Sequence, residues 1–187
     1  MKPIKLYNNI EIDNKYFDNY GGASYADNYK TYTIPAEYLI KELVDVGLDF
    51  ETFLDIGCAS GELVRDLRKL GIKAFGIDNN EYILKKNVIP ECCKQLDLRN
   101  ISDLHPLKFD ITYANSLMYV FPQEVIAVLK KLKKIVKKAV YLWTPYLDDN
   151  FQFNDPYRKF QATKSWWNKQ FEEAGFKKSS NQNIYLI

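Results

Sequence analysis

The sequence predicts one doubly wound α/β domain on a mostly parallel sheet. Three observations carry that prediction. Short apolar runs at 53–56, 73–77, 109–114 and 139–144 alternate with stretches of helical periodicity. The first run passes into a turn of small residues, Gly57-Cys58-Ala59-Ser60-Gly61, and then into a helix. Asp78 closes the second run roughly 20 residues after Asp55, the spacing at which doubly wound folds hold a ribose diol.

The chain of 187 residues is long enough for one domain with a sizeable core, and 47% hydrophobic with 27% charged residues is an ordinary globular composition. A net charge of +2 provides no strong field toward nucleic acid or membrane. Cys58, Cys92 and Cys93 make no disulfide or metal pattern. Residues 1–9 hold no apolar run of signal-peptide length, and there is no apolar stretch of membrane-spanning length. A soluble, cytoplasmic protein without a metal is therefore expected. Aromatic content is high at 15%, with 14 tyrosines; a tyrosine offers a flat apolar face and a polar tip, suited to lining a pocket.

Taken in order, residues 1–34 read as a polar leader in which Tyr16, Phe17, Tyr20, Tyr25, Tyr29 and Tyr32 recur every few residues, broken by Gly21-Gly22. Residues 35–187 form the domain. Thr33 as cap and Pro35 in the first turn start a helix with Leu39, Leu43 and Val46 on its apolar face and Gly47 at its end. The first strand carries Phe53, Leu54 and Ile56, with Asp55 near its carboxyl end, where open α/β sheets bind ligands. Gly57, Ala59 and Gly61 leave the backbone of the turn open to close approach. Ala59 is expected in an ordinary backbone conformation. Leu63, Leu67 and Leu70 repeat at helical spacing, and Gly71 ends that helix. The strand at 73–77 leads to Asp78 and Asn79, where a carboxylate can accept from two hydroxyls at once or a side chain can cap the helix beginning at Asn80.

Residues 92–96 read as the third strand, ending at Asp97-Leu98, and 109–114 as the fourth, ending at Asn115-Ser116. His105, before Pro106, has no sequence partner for a catalytic triad and reads as a surface loop. Pro122 opens a helix predicted over 122–138, with Val125, Val128, Leu129, Leu132, Ile135 and Val136 as its core stripe. Lys130, Lys131, Lys133, Lys134, Lys137 and Lys138 lie off that stripe, a basic face that suits RNA or another polyanion, or simply water. The fifth strand follows at 139–144. Residues 146–162 form a polar-aromatic insertion placed to cap a substrate. A helix from Ser165 to Gly175 and a hairpin of strands at 176–179 and 183–187 close the chain.

The order Asp55-x-Gly57-x-Ala59-x-Gly61, then Asp78, then Asp97-Leu98 resembles the motifs of the class I S-adenosylmethionine-dependent methyltransferases, with alanine in place of the middle glycine. The nicotinamide fingerprint G-x-G-x-x-G is absent. The resemblance implies a Rossmann-like seven-stranded sheet in the order 3-2-1-4-5-7-6, with the seventh strand antiparallel. It implies S-adenosylmethionine as cofactor, held by Asp55, Gly57, Cys58 and Gly61 at the turn and by Asp78 and Asn79 at the second strand. Asp97 would meet the adenine amino group, Leu98 the ring, and Asn115 the region beside the methyl group. Tyr25, in a leader folded over the cofactor, would touch the methionine end. No catalytic residue is identified; Tyr25, Tyr29, Asn115 and Tyr119 are candidates for positioning a substrate. The loop after the fourth strand lacks the proline pair of DNA amino-methyltransferases. It also lacks an acid for aminopropyl transfer. A small-molecule acceptor methylated on O, N or S is the first expectation, an RNA or protein acceptor the second, and a cofactor-binding scaffold without turnover the third.

Overall fold

The computed structural model describes residues 2–7, 9–19, 34–149, 155 and 157–187. In chain order, β1 (Ile4–Leu6) and α1 (Asn14–Asn19) precede α2 (Ala36–Asp45). The sheet begins with β2 (Thr52–Ile56), followed by α3 (Glu62–Lys69), β3 (Lys73–Asp78), α4 (Glu81–Leu84) and β4 (Cys93–Gln95). Beyond a 3-10 stretch at Leu98–Leu104 come β5 (Phe109–Ala114), α5 (Val125–Leu132) and β6 (Val136–Leu142). The last elements are β7 (Phe160–Ala162), α6 (Lys164–Glu173), β8 (Lys177–Lys178) and β9 (Ile184–Leu186).

Seven strands form one sheet in the order β4-β3-β2-β5-β6-β9-β8. Counted from the strand before the glycine turn, this is the expected 3-2-1-4-5-7-6. The first five strands are parallel, and β9 runs antiparallel to both neighbours. The chain moves outward from β2 to β4, then returns to place β5 on the other side of β2. A crevice opens at such a switch point, outside the strands' carboxyl ends; here it lies between the turn after β2 and the loop after β5.

Alternation along the strands feeds two cores. Leu54 and Ile56 join Val125, Val128, Leu129, Trp167 and Phe171 on one face. Phe53, with Ile111, Tyr113 and Tyr141, packs against Leu39, Leu43, Leu63 and Leu67 of α2 and α3 on the other. A register shift between Phe109 and Ile111 sends Phe109 to the first core and Ile111 to the second. Where β2 and β5 begin, the Asp110 carboxylate accepts from the N–H groups of Glu51 and Thr52 and from Thr52 Oγ1 at 2.8–3.0 Å, and Asp110 N donates back to Thr52 Oγ1 at 2.8 Å. These bonds fasten the two strands at the end remote from the crevice.

Several boundaries differ from expectation. The helix predicted over 122–138 stops at Leu132: a 3-10 turn at Pro122–Glu124 leads into α5, and β6 already begins at Val136. Ile135 and Val136 are buried, but by a turn and a strand, so an apolar pair extended the helical pattern falsely. The basic face divides with it. Lys137 pairs with Asp110 at 3.0 Å, Lys138 with Asp49 at 2.7 Å, and Lys131 donates to the Arg99 carbonyl at 2.6 Å. Leu70 caps α3 and is 46% exposed rather than core. Pro35 occupies the N-cap position of α2, and Thr33 lies outside the described residues. The third strand is shorter than 92–96, because Pro90–Cys92 form a 3-10 turn. The leader and the insertion meet: β1 pairs antiparallel with β7, Ile4 opposite Ala162.

Candidate functional site

The turn after β2 is fixed from two sides. Gly57 N and Cys58 N both donate to the Ile77 carbonyl, at 2.8 and 3.0 Å, binding the turn to the end of β3. Gly57 has φ +79°, and a Cβ there would lie 2.1 Å from Ser116 Oγ. That hydroxyl donates to the Ile56 carbonyl at 2.5 Å, so the loop after β5 closes on the turn only because residue 57 has no side chain. Ala59 has φ 45°. The ordinary conformation expected there is wrong: the turn keeps the left-handed geometry of the glycine that alanine replaces and carries its strain. Gly61, at φ +76°, is the N-cap of α3.

Asp78 stands at the tip of β3. Its Oδ2 accepts from Ala59 N at 3.0 Å and its Oδ1 from Asn80 N at 2.9 Å. Each oxygen keeps a further acceptor site. Burial pushes its carboxyl upward in pKa, against the pull of the N–H groups of Asn80, Ala59 and Asn79. The helix cap is Asn80, whose side chain accepts from Ile83 N at 3.2 Å. At the tip of β4, Asp97 accepts from Arg99 N at 2.8 Å and holds the Arg99 guanidinium at 2.6–2.9 Å. The Arg99 bond, opposed by burial, holds the Asp97 carboxyl below the usual range.

These groups share one cavity of about 180 Å³, far more than the roughly 30 Å³ of a single water. Gly57, Ala59, Asp78 and Asn79 form one part of its wall, and Asp97, Leu98 and Arg99 another. Asn115, Ser116, Tyr119, Val120 and Phe121 line it from the loop after β5. Ile12, Tyr16 and Phe17 of the leader close it, with Glu11, Glu124 and Lys159 also on the wall. Tyr16 and Phe17 are buried against Ala59 and Ile83, which seats α1 directly over the glycine turn. Lys159, 7% exposed, donates to Asn9 Oδ1 at 2.6 Å and to the Ile10 carbonyl at 2.8 Å, tying the leader to the start of β7. Deeper in, the Tyr119 hydroxyl lies 2.5 Å from Asp155 Oδ2 and 3.2 Å from the Tyr16 hydroxyl.

Of the expected site residues, Gly57, Asp78, Asn79, Asp97, Leu98 and Asn115 meet on this wall. Asp55, Cys58 and Gly61 are not among its lining residues. Asp55 is 2% exposed inside the sheet, and burial, with Cys93 and Asp78 beside it, holds its carboxyl well above the usual range. Cys58 is fully buried, and a Cβ at Gly76 would lie 2.6 Å from its sulfur; it packs behind the turn instead of facing the cavity. Tyr25 and Tyr29 lie outside the described residues, as does the stretch 150–154 of the insertion. Tyr16 and Phe17, from the same aromatic repeat, line the cavity. Arg99 and Lys159 carried no sequence signal, because their meaning depends on partners that only folding supplies.

Residues 54–144 match the family model for a methyltransferase domain. The fold, the order of acids at successive strand tips and this match make the chain similar to the class I S-adenosylmethionine-dependent methyltransferases, enzymes whose cofactor is S-adenosylmethionine. Solved structures agree on the fold. A SAM-dependent methyltransferase from Archaeoglobus fulgidus is 19% identical, covering 82% of this chain and 74% of its own, with a TM-score of 0.64. DesVI of Streptomyces venezuelae is 13% identical over 95% of this chain and 98% of its own, TM-score 0.67. CalS10, an amino pentose methyltransferase from Micromonospora echinaspora, is 12% identical over 87% and 94%, TM-score 0.66. No curated protein matches in sequence. Among the described residues no helix is long and apolar enough to cross a membrane.

Proposed function

We propose that the protein methylates an O, N or S atom of a small molecule. The observation that carries this reading is the seating of α1 over the glycine turn: Tyr16 and Phe17 pack on Ala59 and Ile83, and Lys159 holds the preceding residues in place. An acceptor must fit beneath that segment, which favours a compact molecule over a folded RNA or protein. CalS10, whose substrate is an amino pentose, is consistent with an acceptor of that size.

The residues present suit the cofactor. Asp78 has acceptor capacity for two ribose hydroxyls, Asp97 can take the adenine amino group, and Leu98 offers an apolar side to the ring. Gly57 and Ala59 present bare or nearly bare main chain to the amino-acid tail. When bound, S-adenosylmethionine supplies a methyl group on a sulfonium, so the acceptor's lone pair takes the carbon and the carbon–sulfur electron pair stays on sulfur. The chain's task is then orientation and exclusion of water, which can lower a barrier by as much as about 7–11 kcal/mol.

Transfer of tritiated methyl from S-adenosylmethionine should be measured over a panel of small hydroxyl, amine and thiol compounds, with RNA and protein extracts alongside. Label in a small compound is the expected result. Label confined to RNA or protein would overturn the proposal.

A further inference from the structure

Tyr16, Tyr119 and Asp155 form a hydrogen-bonded chain whose direction is fixed by its buried end. Asp155 is 1% exposed. Its Oδ1 accepts from Tyr157 N at 2.9 Å, and its main-chain carbonyl accepts from Arg158 Nε at 3.1 Å. Its Oδ2 lies 2.5 Å from the Tyr119 hydroxyl. A carboxylate can only accept, and a phenol has one proton to give. The Tyr119 proton is therefore committed to Asp155. The proton between the two phenols, 3.2 Å apart, must come from Tyr16. Toward any further group the Tyr16 oxygen can then only accept. Phe17 and Tyr157 hold the Tyr16 ring edge-on, with centroids 4.9 and 4.8 Å away. Burial, together with Tyr16 and Asp155, holds the Tyr119 phenol well above the usual range, so Tyr119 stays a proton-carrying link. Tyr16 and Tyr119 line the same cavity as Asp78 and Asp97.

The geometry points to a one-way proton path from the methyl acceptor through Tyr16 and Tyr119 to Asp155, which selects acceptors bearing an O–H or N–H on the reacting atom. This rests on reading the cavity as the site of methyl transfer, and it adds an acceptor class and named roles to that reading. As the acceptor's lone pair takes the methyl carbon, its own O–H or N–H bond breaks and that bond's electron pair remains on the acceptor. The released proton goes to the Tyr16 oxygen, the Tyr16 proton to Tyr119, and the Tyr119 proton to Asp155, which becomes a carboxylic acid. Tyr16 touches the acceptor. Tyr119 and Asp155 are positioning residues that set which way Tyr16 points its proton.

The test uses the full chain saturated with S-adenosylhomocysteine and two probe pairs: phenol with anisole, and benzylamine with toluene. Binding is read by saturation-transfer NMR, and cofactor binding by calorimetry on the same samples. In the wild type each donor probe should bind at least about tenfold tighter than its partner without a donor, as one hydrogen bond into a charged chain allows. Tyr119→Phe and Asp155→Asn each free the Tyr16 proton to turn outward, so the preference should fall to within about threefold while S-adenosylhomocysteine still binds. Tyr119→Phe keeps the test decisive should the buried Asp155 variant not fold. Equal binding of each pair in the wild type, binding of neither, or a preference that survives Tyr119→Phe would overturn the path. Absence of S-adenosylhomocysteine binding by the wild type would instead overturn the methyl-transfer reading, and this inference with it.

Discussion

Ala59 holds its single methyl group on a left-handed turn. The pattern of small residues makes the bend legible in the sequence, but alanine there suggests an ordinary backbone, and the observed φ of 45° contradicts that. An alanine in the left-handed region costs about 1–2 kcal/mol, part of which glycine loses again in unfolded-state entropy. Ala59→Gly should therefore raise stability by about 0.5–1 kcal/mol, a gain of roughly 1–4 °C in melting temperature for a chain this long. A fall in melting temperature on scanning calorimetry would show that the methyl group's packing against Tyr16 and Phe17 outweighs the strain. The acids at the strand tips were legible for a related reason. Asp78 and Asp97 are placed by the strand periodicity and by the turn that follows, both local properties of the chain. Asp55 belongs to the same motif but is buried inside the sheet, because a strand's alternation decides which side each residue faces and a motif does not record it.

Among the elements, the joint between β2 and β5 carries the clearest pH dependence. Burial raises the Asp110 carboxyl, but the N–H of Glu51, Lys137 and Thr52 outweigh it and leave the group well below the usual carboxylate range. A depressed folded pKa means that this stabilisation is complete above the unfolded value of about 3.9 and is lost as the pH falls through and below it. Asp110→Asn should cost about 1–3 kcal/mol near neutrality, with the gap to wild type closing as the pH is lowered below about 4. Denaturant titrations at several pH values check this; a gap that is independent of pH would contradict it. Lys137 contributes little, its side chain being 43% exposed. The leader depends on a different contact. Lys159→Met removes both hydrogen bonds to Asn9 and Ile10 and should speed limited proteolysis within residues 9–19 by about fivefold or more, as the loss of two charge-assisted bonds of about 1.5–3 kcal/mol permits. An unchanged cleavage rate would show that β1 and α1 hold the segment alone. No sequence pattern could reveal this clasp, which joins residues from opposite ends of the chain. The error over 122–138 had the opposite origin, since Ile135 and Val136 fit a helical stripe locally and only pairing with β5 draws Val136 into a strand.

At the scale of the whole molecule, the alternation of apolar runs and amphipathic helices made the doubly wound, mostly parallel class legible, while the order of the strands followed from the resemblance to the methyltransferases. The switch in winding at β2 then puts the glycine turn, two acidic strand tips and the loop after β5 around one crevice, and the leader comes back across the sheet to roof it. The aromatic repeat marks the leader, but a spacing of rings in sequence does not say which of them, here Tyr16 and Phe17, reach the cavity. The proposed function requires this crevice to hold a nucleoside by its ribose at Asp78. Titration calorimetry of the full chain with S-adenosylmethionine and S-adenosylhomocysteine tests it most directly. One site for each ligand is expected, with a loss of affinity of at least about tenfold in Asp78→Ala, since each hydroxyl–carboxylate bond contributes about 1.5–3 kcal/mol. No heat with either ligand from the folded wild type, or equal affinity in Asp78→Ala, would contradict it.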